Sequence, residues 1–416
     1  MQAITSFTRR NSGKISYILL NYSAYLLNFV SGLILARSLG PENRGIVAYL
    51  STLYLITLVI APLNAKNAAS IVEAEQKTLK NSQVGRFSTY RFAVISTCIT
   101  IAISISLYFY LIENLPNKLV VLFCIANLFN SLAIVIQIRE GIFRTQNRLH
   151  ELAIIRFLGY ATPSLFIFIL FLVKKVEVEY VIFGQVVAML SASLFLIIRK
   201  FPAPEYLHSD FSEKALKTFG SYFLEILSVF TPLILVMSSE QYTYMGLFAI
   251  ANGFSLISDT YFQIIESKVY FELAKIKDKS PKSAFVIILQ SARSLFFAQL
   301  IFIPIAYLIP ILYGNSYNGS VQIAIFLILS KYLFSILKLE SIYINLMIKR
   351  YRVPTILNGI YVVMSLSMFL LLQHFTKVIH PWILAVLIPS IAIPIMGAVY
   401  ILFNSHEKLK AKTNTV

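Results

Sequence analysis

The sequence has 416 residues, 57% of them hydrophobic and 13% charged, with a net charge of +17 and a mean hydropathy of +0.74. Soluble domains carry about a quarter charged residues, so a water-soluble fold is excluded, and with it the nucleic-acid reading that a basic chain invites. The two cysteines, Cys98 and Cys124, lie in apolar runs without metal or redox spacing, which excludes a disulfide framework.

Apolar runs of about 20 residues recur along the chain, the length a helix needs to cross the hydrocarbon layer. In chain order they predict spans at 15–36, 46–62, 88–112, 118–138, 153–173, 178–198, 217–237, 244–265, 284–309, 321–347, 355–373 and 379–402. Arg9, Arg10 and Lys14 precede the first run as in a signal peptide, but 15–36 is too long for a signal h-region and reads as a span. The runs are too continuously apolar for the alternating strands of a membrane barrel. The expected fold is therefore an all-α integral membrane protein of twelve transmembrane helices.

Charge placement orients these spans. Of the 36 Lys and Arg, 28 fall in tails and loops on the N-terminal side of the membrane. Six fall on the other side: Arg37, Arg44, Lys118, Lys174, Lys175 and Lys377. Lys331 and Lys338 fall inside a span. Positive charge concentrates in the cytoplasm, so both termini are expected there. The polar, Pro-bearing segment 199–216 divides the chain into six-helix lobes at 1–200 and 201–416. A short echo, Gly45-Ile46-Val47-Ala48 against Gly246-Leu247-Phe248-Ala249, fits parallel repeats.

Phosphate-loop, zinc-protease, nucleophile-elbow and Cys-x-x-Cys signatures are missing from the sequence. No cofactor is expected, no catalytic residue is assigned, and any transport is secondary or facilitated. His374 and His380, the one close histidine pair, flank a short outer loop and are not expected to hold a metal.

Three short stretches stand at predicted turns. Leu39-Gly40-Pro41-Glu42-Asn43-Arg44-Gly45 joins the first two spans. There Gly40 and Pro41 end one helix, and Gly45 lets the next pack closely. Gly141-Ile142-Phe143-Arg144-Thr145-Gln146-Asn147-Arg148 follows the fourth span, and Leu312-Tyr313-Gly314-Asn315-Ser316-Tyr317 follows the ninth. Together they resemble the bacterial polysaccharide flippases, the Wzx-type O-antigen and capsule exporters of the MATE-like multidrug/oligosaccharidyl-lipid/polysaccharide superfamily. The resemblance implies two six-helix lobes facing each other in a V, a bacterial cytoplasmic (inner) membrane location, and an undecaprenyl-diphosphate-linked oligosaccharide as substrate. It also implies membrane lipid, a polysaccharide polymerase and a chain-length regulator as partners.

Ionisable groups inside a membrane are costly and become functional candidates. Lys331 and Lys338, seven residues apart, share a helix face, and Glu225, Asp259 and Glu340 are the acids of the same half. The lysines attract an anionic substrate in one reading and close an internal ion pair, such as Glu225 with Lys338, in the other. Arg91, Arg139 and Arg156 lie near inner span ends. They either snorkel to the interface or grip a diphosphate bidentately, with Arg37 placed to receive it at the outer end. Glu225 and Asp259 are candidates for ion coupling; the first span has no acid. Two other readings stand beside the flippase: a cation-coupled multidrug or metabolite exporter of the same superfamily, and a membrane polymerase or glycosyltransferase. The outer loops are short and their carboxylates scattered, which disfavours the enzyme.

Overall fold

The structure is a computed structural model that describes the backbone of residues 2–78, 87–146, 148–199, 211–239, 242–275, 281–344, 348, 350, 352–375 and 381–413, with the side chains of most of these. Every regular element among them is helical. They form two compact units, Met1–Phe223 and Leu224–Val416. Most of the polar segment expected to divide the halves lies outside the described residues. Among the described residues, ten stretches are long and apolar enough to cross a membrane, so the chain is a multi-pass membrane protein.

In the first unit, α1 (Gln2–Ile60) is interrupted at Gly40, where φ is 72° and ψ 175°. A Cβ there would meet open space; it is the dihedral, one that L side chains rarely adopt, that requires glycine. Pro41 then starts the second limb, where its missing N–H costs nothing. That limb ends in a turn with Leu63 (φ 47°) and Asn64 (φ 62°) in the left-handed region. Asn tolerates this conformation better than most residues, and its amide donates to the Thr218 hydroxyl at 2.9 Å. Thr218 belongs to α8 (Phe211–Ser239), which begins in this unit.

The chain does not become a loop after residue 62. It resumes as α2 (Ala65–Thr78), which turns Ala65, Ala68 and Ala69 inward. Sequence reading ends the span at 62 because α2 is too polar overall to count as membrane-embedded. The next elements are α3 (Phe87–Leu111), α4 (Asn117–Leu128) and α5 (Ala133–Thr145). Between α4 and α5 the predicted fourth span is broken by a 3-10 turn over Phe129–Leu132. Two asparagines secure this break. Asn127 donates to Ser104 at 2.9 Å, and Asn130 donates to the Tyr54 carbonyl at 3.1 Å and to Asn127 at 3.0 Å. α6 (Leu149–Leu172) packs along α1, tied by Ser164 to Asn28 and Ser31. α7 (Val178–Ile198) packs on α6 and sends Gln185 to Ser51 at 2.9 Å. Lipid tails are as apolar as leucine, so close packing and such polar bonds hold membrane helices together.

The second unit takes the rest of α8, then α9 (Tyr242–Lys275), α10 (Pro281–Ile305), the short α11 (Ile309–Tyr313), α12 (Gly319–Tyr343), α13 (Arg352–Phe375) and α14 (Pro381–Thr413). α12 is its centre, packed against α9, α10 and α14. Trp382 is fully buried, with Phe248, Phe326 and Tyr244 edge-on around it.

Candidate functional site

The three resemblance-bearing stretches depend on their glycines, although the second, expected as a turn, stays helical in α5 as far as Thr145. Gly40 supplies the positive φ at the kink of α1. Gly314, at φ 108°, lets the chain leave α11 between the buried rings of Tyr313 and Tyr317. Gly141 is a close approach: a Cβ would overlap the Lys66 carbonyl oxygen on α2. Around it, Ser70 donates to the carbonyls of Lys66 (3.0 Å) and Gly141 (3.1 Å), and Thr145 donates to that of Ser70 at 3.3 Å. Gly141 and Thr145 thus hold α5 against α2. Phe143 is buried there beneath the Arg148 guanidinium, 4.8 Å from its ring centroid.

This junction also carries charge. Lys66 lies 2.7 Å from Glu140, and the Arg156 Nε lies 3.8 Å from the same oxygen. Arg148 places Nε and Nη2 at 3.0 and 2.6 Å from one oxygen of Glu151. Arg139, half-buried on α5, stands within electrostatic reach of Arg148. Lys66 and Arg156 thus share Glu140 where α2, α5 and α6 meet, and Arg148 pairs with Glu151 at the start of α6. Arg156 is tied to Glu140 rather than left as an isolated interfacial cation. Arg37 sits apart from them, exposed three residues before Gly40. Pro41 and Gly45 follow that kink, and Gly45 is buried. The side chain of Arg91 lies outside the described residues. Lys66, Glu140 and the Arg148–Glu151 pair are missing from the predicted set; the signal available was Glu140 standing beside Arg139 in an apolar run.

In the second unit, the Lys338 ammonium stands over the rings of Phe262 and Phe334, at 5.8 and 5.7 Å. Aromatic faces stabilise such a half-buried cation. Glu266 of α9, half-buried, is in electrostatic reach of both Lys338 and Glu225. Glu225 itself is exposed and forms no ion pair with Lys338. Lys331 is half-buried on α12, and the Asp259 side chain lies outside the described residues. Among the described residues no group of three metal-ligating side chains converges. A cleft of about 570 Å³ between α3 and α4, bordered by Thr97, Ser104, Tyr108 and Cys124, has no charged residue in its walls.

A family profile described as "Polysaccharide biosynthesis protein" matches residues 12–271, more than half of the chain. No curated protein matches the sequence. Among solved structures, the chain is similar to the inward-facing conformation of a multidrug resistance MATE family transporter of the MOP superfamily. The TM-score is 0.71 at 12% identity, covering 93% of this chain and 96% of that one. The outward-facing conformation of a multidrug resistance MATE family transporter matches with a TM-score of 0.57 at 12% identity, over 95% and 94%. A crystal structure of MATE in the straight conformation matches at 0.59 and 13% identity, over 95% of both chains. Identities this low speak for the fold alone. With the MATE-like fold and the profile together, the chain belongs to the polysaccharide biosynthesis protein family.

Proposed function

We propose that this protein is a flippase that carries an undecaprenyl-diphosphate-linked oligosaccharide from the cytoplasmic to the periplasmic leaflet, for O-antigen or capsule assembly. The family match carries this reading, and the cation-rich junction of α2, α5 and α6 gives it a chemistry. Oligosaccharide and diphosphate cannot cross hydrocarbon without polar partners. Arg139 and Arg156 would take the diphosphate near the inner face, Lys331 and Lys338 are the cationic candidates of the second unit, and Arg37 would meet the cargo near the outer face. Two lobes of twelve helices, with both termini in the cytoplasm, would alternate access across the bilayer of the bacterial inner membrane. An inside-negative potential favours outward movement of an anion by roughly 2.3 kcal/mol per charge per 100 mV, so no ATP is required.

The test is genetic and chemical. Deleting the gene should abolish surface polysaccharide and leave lipid-linked repeat units in the inner leaflet; the intact gene should restore export. Unchanged polysaccharide, with lost resistance to a cationic drug, would establish the multidrug reading instead. That reading has the weaker support, because the first limb of α1 carries cations, Arg37 among them, and no acid.

A further inference from the structure

Glu340 lies on α12 in the second unit and is 5% exposed. Its Oε2 has no hydrogen-bond partner among the described residues, and it forms no ion pair there. The carboxyl group presses against Gly397 of α14, where a Cβ would overlap Oε2. Leu357 of α13 borders the same spot, and the buried side chains around it include Leu337, Ile393 and Ile401. Glycine at 397 thus leaves room for an acid in an otherwise apolar seam.

The surrounding charges are engaged elsewhere. At about 100° per residue, Lys338 and Lys331 project from nearly the opposite side of α12 to Glu340. Lys338 stands over two aromatic rings, with Glu266 of α9 in its reach. On α10, Arg293 lies over Phe297. Arg352, at the start of α13, is exposed. Glu272 of α9 is half-buried on the neighbouring helix, one turn and a half beyond Glu266. The remaining titratable groups of the seam are the phenols of Tyr343, Tyr361 and Tyr400. An ionised carboxylate shut away without a cation is far costlier than a protonated one. The group is therefore neutral in this arrangement.

Two further features bear on how the three helices of this seam are held and can move. From Leu357 the seam continues, one turn along α13, to the Tyr361 hydroxyl, which lies 3.5 Å from Ser390 of α14. Ser390 lies 3.4 Å from Ser330 of α12. These hydroxyls tie α12, α13 and α14 to one another about two to three helical turns from Gly397 and Glu340. α14 also contains Pro389 and Pro394, and each removes a backbone hydrogen bond just before Gly397, which makes this part of the helix easier to displace.

We propose that Glu340 is a proton-binding site of the second unit, whose carboxyl holds a proton while shut in the α12–α13–α14 seam and releases it when α14 moves and water enters. The cargo plays no part in this inference, and the test needs none. Full-length protein in neutral-lipid vesicles is titrated from acid to alkaline pH. Infrared spectra follow neutral carboxyls, and fluorescence follows Trp382, the chain's single tryptophan, on α14 itself. Wild type should show a carboxyl that is neutral at neutral pH and ionises in step with a change in Trp382 emission. Glu340→Gln, which keeps the shape but cannot ionise, should lose both signals. Should that variant fail to insert, Gly397→Ala, whose methyl group displaces the carboxyl, should shift the pH of the transition. Absence of a neutral carboxyl in wild type overturns the proposal, as do signals that survive in Glu340→Gln, ionisation without a change at Trp382, or an unshifted transition in Gly397→Ala.

Discussion

Two glycines of α5 and α6 separate crowding from flexibility. Gly141 faces the Lys66 carbonyl so closely that any side chain forces α2 and α5 apart, whereas Gly159 of α6 has nothing within 4 Å of its missing Cβ. Gly141→Ala should therefore destabilise the protein by about 1–3 kcal/mol, as overpacking does. Gly159→Ala should leave stability unchanged or raise it by about 0.5–1 kcal/mol, because alanine loses less entropy in a helix. Thermal unfolding in detergent, side by side, checks the pair. Gly40→Ala is a third case: its surroundings are open but its φ is 72° and its ψ 175°, so the cost is backbone strain of about 1–3 kcal/mol. All three resemblance-bearing stretches thus owe their glycines to chain geometry, while the charged chemistry sits on neighbouring side chains.

At the scale of elements, the junction of α2, α5 and α6 is where stability and transport can be pulled apart. Glu140 serves Lys66 and Arg156 together. Glu140→Ala should cost about 1.5–3 kcal/mol, the range for hydrogen bonds to charged groups, through repulsion between the two cations. Adding Arg156→Ala should recover part of that stability. If Arg156 serves only the junction, polysaccharide export should recover as well. If Arg156 grips the diphosphate, folded double-mutant protein should reach the membrane and fail to export, and Arg156→Lys should not restore export, since an ammonium cannot make the bidentate contact. This is also where sequence reading loses resolution. The apolar runs announce the helices, because lipid demands about 20 apolar residues per span, and Gly40-Pro41 announces its kink. The partner of Arg156 lies sixteen residues away on another helix, and no local pattern encodes that pairing. The burial of Glu340 is equally hidden. Its place in a span is plain from the sequence, but the cavity that receives it is made by Gly397, which is distant in sequence and carries no side chain to mark the contact.

For the whole molecule, the decisive element is α9. It is absent from the ten apolar stretches found among the described residues, while the first of those stretches, Tyr22–Ile71, contains the Gly40 interruption and counts as two limbs. Twelve spans therefore require that α9 cross the membrane. Its 34 residues are more than long enough, and the predicted span 244–265 lacks any charge except Asp259. Three exposed positions decide the matter: Ser38 before Gly40, Gln146 after α5, and Ser316 after α11. With Cys98 and Cys124 replaced, single cysteines at these sites can be labelled by a membrane-impermeant maleimide in whole cells and in inverted vesicles. The twelve-span topology with a cytoplasmic N-terminus expects Ser38→Cys and Ser316→Cys to label from outside and Gln146→Cys only in inverted vesicles. Between Gln146 and Ser316 the chain passes through α6, α7, α8, α9 and the α10–α11 stretch. If α9 lay along the membrane surface, Ser316→Cys would label on the same side as Gln146→Cys, and the Lys and Arg asymmetry would collapse for everything beyond it. The concentration of Lys268, Lys275, Lys277, Lys279 and Lys282 at the end of α9 and in the segment that follows argues against that outcome, since positive charge of this density stays on the cytoplasmic side.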